Sequence, residues 1–86
     1  MKHASHPEII RRLKRAQGHL GAVLAMFENG RSCLDLAQQL HAVESAIANA
    51  KRELIQDHIE HCLDETASVK NPRAALNEFK ALAKYL

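Results

Sequence analysis

From Cys33 to Leu63 the sequence reads CLDLAQQLHAVESAIANAKRELIQDHIEHCL, with neither proline nor glycine along it. Leu36, Leu40, Val43, Ile47, Ala50 and Leu54 recur there in alternating steps of four and three. That is the a/d stripe of a helix packed lengthwise on another, and it predicts one rod from a Ser32 cap to about Leu63. Such a rod far exceeds the usual globular helix of about a dozen residues and reads as the spine of a bundle or coiled coil. Cys33 opens it, while His58 and Cys62 stand near its end, extending the stripe. With a rise of about 1.5 Å per residue, Cys33 and His58 lie roughly 37 Å apart on one helix and cannot share a bound atom. His58 and Cys62 can, because residues four apart share a helix face. If two copies pair antiparallel about Ala46 and Ile47, each Cys33 arrives beside the other copy's His58 and Cys62. Ala42, Ala46, Ala48 and Ala50 let the helices approach closely. The expectation is a site of two sulfurs and one nitrogen built across a dimer, present twice by symmetry. The alternative is that the stripe packs only on the chain's own helices.

The flanks extend the pattern. Ser5-His-Pro-Glu8 reads as a capping box with Pro7 in the first turn, followed by Ile9, Leu13, Ala16, Leu20, Leu24 and Phe27 at helical spacing and the stop Asn29-Gly30. Thr66 to Lys70 is a polar break. Asn71-Pro72 then opens a short helix expected to turn Leu76, Phe79, Leu82 and Leu86 inward. Residues 1–86 therefore read as one all-α domain of three helices. Hydrophobic residues make up 47%, yet there is one Tyr and there are two Phe, so the core is built from Ala, Leu and Ile. A chain this short has little interior of its own, and self-association is the expected remedy.

Formal net charge is only +2, but its placement is uneven. Arg11, Arg12, Lys14 and Arg15 cover the polar side of the first helix, while Glu60, Asp64 and Glu65 gather at the end of the second. Doubled by dimerisation, the basic group becomes a surface able to meet duplex DNA phosphates. No aromatic interleaving for single strands and no helix-turn-helix spacing accompanies it. The chain carries no apolar run long enough for a membrane span and no secretory leader pattern, and its two cysteines suit a reducing, cytoplasmic setting. Ser5, Ser32, Ser45 and Ser68 lack a base partner and no phosphate-binding glycine loop is present, so neither an enzyme nor a small-molecule substrate is expected.

Two thiolates with one imidazole suit Cu(I), which accepts three ligands. Zn(II) seeks a fourth. His61, His3 or His6 would supply it, or complete a Ni(II) or Co(II) site. His19 and His41 sit at mid-helix without a spaced cysteine and read as ordinary polar or interface residues.

Arg15-Ala-Gln-Gly18-His19-Leu20, Cys33-Leu-Asp, Gln38-Gln39-Leu40-x-Ala42-Val43 and Asp57-His58-Ile59-Glu60-His61-Cys62 together resemble the CsoR/RcnR family of bacterial transcriptional repressors. The likeness runs over nearly the whole chain. It implies an antiparallel homodimer assembling to a homotetramer, operator binding when metal-free, and release by metal bridging two protomers. Cys33, His58 and Cys62 resemble the copper-sensing branch, and that branch implies that Glu78 supports the ligand histidine. Ser32 replaces that branch's tyrosine. Persulfide sensors lack the histidine, and formaldehyde sensors carry proline where this chain has Lys2. Nickel and cobalt sensors add an N-terminal histidine at a position matching Met1, with His3 and His6 close by. For DNA contact the resemblance points to Arg12 and Arg15, with Asn49 at a basic position of the second helix for which Lys51 or Arg52 substitutes.

Overall fold

The computed structural model describes the backbone of residues 5–66 and 72–86 and the side chains of 5–61 and 72–86. His3, the polar break beyond Thr66 and Asn71 lie outside these residues. Three helices follow one another, α1 (His6–Glu28), α2 (Cys33–Thr66) and α3 (Pro72–Ala83), in agreement with the all-α expectation.

Helix α1 ends where Gly30 takes φ +69°, the left-handed region that glycine enters without strain. Gly30 N–H donates to the Phe27 carbonyl and Arg31 N–H to that of Met26, so the chain reverses through a Schellman turn. Nothing lies within 4 Å of a Cβ added at Gly30, which leaves backbone strain as the only cost of Gly30→Ala. The expected loss is about 1–2 kcal/mol in urea unfolding, and an unshifted midpoint would contradict the turn's role.

Ser32 then caps α2 as expected, accepting the Asp35 N–H at 3.1 Å. Ser5 does not cap α1. Its backbone is already helical (φ −80°, ψ −17°) and its side chain makes no capping bond, because a cap oxygen reaches the first turn only from an extended residue. Glu8 turns instead to Arg11 at 2.7 Å and Arg12 at 3.6 Å.

The long stripe divides between two environments. Leu36, Val43 and Ala50, seven residues apart, are buried against Ile9, Ala16 and Val23 of α1, which repeat at the same interval. Val23, Leu36 and Val43 form the centre of this contact, with Met26 packed on it. Leu40, Ile47 and Leu54, the alternate half, remain 40–47% exposed. On the same flank Ile9 and Leu13 of α1 face Ile47, Ala50 and Leu54 across an apolar groove. Cys33 belongs to the exposed half by its spacing of seven from Leu40, whereas His58 stands off it.

Helix α3 packs on α2 yet buries no residue fully. Leu76 is 51% and Leu86 65% exposed, so the inward set expected here reduces to a half-covered Leu82 and a marginally exposed Phe79. The Cα radius of gyration is 17.7 Å. A compact chain of this length would have about 12 Å. The molecule is therefore a thin rod whose apolar surface exceeds what its own helices cover.

Candidate functional site

Cys33 is the first residue of α2 and is exposed as a free thiol. At the other end of the helix His58 is half-buried, with Nε2 2.9 Å from Glu78 Oε1. The contact has ion-pair distance without the alignment of a hydrogen bond. It bridges α2 and α3, the pairing the family resemblance implied. A carboxylate beside one ring nitrogen is the usual support of a histidine that binds metal through the other. Cys62 lies on the described helix one turn beyond His58, and its side chain is outside the described set.

His61 is half-buried, with Nδ1 at 3.1 Å from the Asp57 carbonyl and 3.6 Å from Asp57 Oδ1. A carbonyl oxygen only accepts, so Nδ1 is the donor in this contact. His6 is half-buried at the start of α1, the end of that helix that packs toward the His58 end of α2, as the Arg12–Glu53 contact and the groove shared by Ile9 and Leu54 show. Among the described residues no three His, Cys, Asp or Glu side chains of one chain converge.

The basic residues separate into two groups. Arg12, Arg15 and His19 of α1 line a cleft with Glu8, Ala46 and Asn49. Arg52 joins this side through a 2.7 Å bond to the Asn49 side-chain carbonyl. Lys14 is exposed on α1, and Arg11 is held by Glu8. Lys51 instead edges the apolar groove on the opposite flank, so of the two substitutes for Asn49 only Arg52 keeps company with the arginines. Sequence reasoning missed the ion pairs of two carboxylates: Glu8, and Glu53, whose Oε2 lies 2.9 Å from Arg12 Nη1. The Glu8 pairs follow helical spacing and were legible in principle. The Glu53 pair joins different helices and has no local signal. His19, expected to be an ordinary polar residue, bonds to Gln39 Oε1 at 2.7 Å and ties α1 to α2.

Comparison with known proteins gives the family. The family described as a metal-sensitive transcriptional repressor matches residues 5–85. The copper-sensing transcriptional repressor CsoR of Mycobacterium ulcerans is 33% identical over 76 residues, 88% of this chain and 65% of that protein. Its Bacillus subtilis namesake is 34% identical over 71 residues, 83% of this chain and 70% of that one. The chain thus spans about two thirds of the length of these relatives. Among solved structures, the nickel-responsive transcriptional regulator InrS superposes with a TM-score of 0.87 at 28% identity, covering 100% of this chain and 98% of that chain. The chain belongs to the metal-sensitive transcriptional repressor family. That family is one of repressors rather than enzymes, as the lack of catalytic groupings led us to expect. Among the described residues no helix is long and apolar enough to cross a membrane.

Proposed function

We propose that the chain is a cytoplasmic metal-responsive repressor that binds operator duplex DNA when metal-free and is released by Cu(I). The metal would be held by Cys33 of one protomer with His58 and Cys62 of its partner, and two such dimers would join as a tetramer. One observation carries this reading: the exposed stripe Leu40, Ile47 and Leu54. It is symmetric about Ile47, so a two-fold axis there sets Leu40 against the partner's Leu54. The same axis sets Cys33 opposite the partner's His61, beside Cys62 and three residues from His58. The position of Glu78 on Nε2 of His58 suits a histidine whose other nitrogen binds metal. Two sulfur donors and one imidazole favour a soft three-coordinate ion.

A second reading is a Ni(II)- or Co(II)-responsive repressor of the same family. The solved InrS relative is nickel-responsive, and His61, next to Cys62 on α2, is a further imidazole where a divalent ion requires a fourth donor. Anaerobic titration of reduced protein bound to DNA from around its own gene separates the two: Cu(I) alone should release the DNA. Release by Ni(II) alone would establish the second reading. Failure of the protein to compete for Cu(I) with a chelator would reduce it to a helical interaction module with packed cysteines.

The DNA surface is the cleft side of α1. Arg15→Ala should weaken duplex binding and lower the salt slope by about one for each phosphate that is no longer neutralised, with metal affinity unchanged. An unaltered slope would move the surface elsewhere.

A further inference from the structure

Arg12 and Arg15 line one cleft, but they are held differently. Among the described residues Arg15 makes no ion pair. Arg12 is clamped between Glu8 of its own helix at 3.6 Å and Glu53 of α2 at 2.9 Å. The Arg12 side chain is 47% exposed and that of Glu53 32%, so the guanidinium reaches solvent while the carboxylate lies beneath it. Glu53 Oε2 is closed to water and takes no aligned hydrogen bond, leaving charge attraction from Arg12 as its compensation. A guanidinium presents the same fork to a carboxylate and to a phosphate, so these acceptors compete for it.

We propose that Glu53 is a built-in competitor for DNA phosphate at Arg12, setting how tightly this protein grips a duplex. The proposal rests on the reading of the arginine cleft as the DNA surface. When Arg12 turns to a phosphate, the Glu53 carboxylate loses its counter-charge and is left near a second anion. Both effects weaken the contact, and neither acts at Arg15. Glu53→Gln keeps the shape and removes the charge. It should tighten duplex binding roughly two- to fivefold per engaged protomer, the range of a partly exposed ion pair. It should also steepen the salt dependence by up to about one unit per freed arginine.

The test is a double-mutant cycle on the full, metal-free chain with Glu53→Gln, Arg12→Ala and the two combined. Binding to a fluorescein-labelled mixed-sequence DNA duplex is followed by anisotropy at several salt concentrations, where phosphate contacts dominate. Glu53→Ala is carried in parallel so that the cycle can be closed if the glutamine variant folds poorly. The expected result is a gain on removing Glu53 that vanishes in the Arg12→Ala background. No gain, or an equal gain with and without Arg12, overturns the proposal, the second because it would mark a general effect of net charge. A wild-type chain that binds no duplex at all removes the DNA surface itself, an outcome distinct from a binding protein indifferent to Glu53.

Discussion

An Ile47→Glu chain should elute as a monomer and hold no tightly bound Cu(I), while Ile47→Leu remains dimeric and loads normally. Ile47 is 47% exposed in the single chain and stands midway between Leu40 and Leu54. In an antiparallel pair it lies on the two-fold axis and meets its own copy, so one substitution places two carboxylates side by side in an apolar contact. Burying like charges without partners costs several kcal/mol. An association weakened by about 4 kcal/mol corresponds to roughly a thousandfold rise in dissociation constant. The centre of the α1/α2 contact, Val23, Leu36 and Val43, does not include Ile47, so helical circular dichroism should persist. Loss of metal follows from loss of the partner, since Cys33 and His58 lie at opposite ends of α2. A dimeric Ile47→Glu protein with normal Cu(I) uptake would show that the seam runs elsewhere.

Ligand and support should separate by magnitude. Cys33→Ala, His58→Ala and Cys62→Ala each remove a proposed donor, and each should lower Cu(I) affinity by more than about a hundredfold, beyond what loss of a supporting partner costs. Glu78→Ala removes only the carboxylate 2.9 Å from His58 Nε2, and such a change costs about 10- to 100-fold at most. Its larger signature should be in coupling. On the proposed reading, metal binding would weaken DNA binding at the α1 cleft by a reciprocal free energy, typically about 1–3 kcal/mol. Glu78 connects the ligand helix to α3, so its removal should shrink that coupling while much of the metal affinity remains. Competition titrations against a Cu(I) chelator, with and without DNA, give both quantities for every variant. Full coupling without Glu78 would mean that the signal leaves the site by another route.

Much of this architecture was legible because it is local. The absence of proline and glycine from Cys33 to Leu63, the Ser32 cap and the Asn29-Gly30 stop are decided within a few residues, and helix boundaries followed them closely. Periodicity showed that the long stripe is apolar, but not that its two halves have different partners. Leu36 and Leu40 are equally apolar, and only the packing of α1 distinguishes them. The same limit applies to Leu76 and Leu86, whose spacing calls for burial without saying whether this chain supplies it. Ser5 failed as a cap because cap chemistry also requires an extended backbone, which residue type alone does not determine. The proposed ligands Cys33, His58 and Cys62 were singled out by spacing alone. Glu78 came only through family resemblance, and Glu53 beside Arg12 not at all, since contacts between helices leave no mark in the local sequence.

The proposed metal site is assembled from two chains, and subunit mixing tests that directly. Chains carrying Cys33→Ala should bind no metal alone, and neither should chains carrying both His58→Ala and Cys62→Ala. In a heterodimer of the two, the intact Cys33 of the second chain meets the intact His58 and Cys62 of the first. Anaerobic Cu(I) titration of the mixture should therefore recover one high-affinity site per heterodimer, half the wild-type stoichiometry. Mixtures that form heterodimers yet recover no site, while wild type binds, would contradict the intersubunit account.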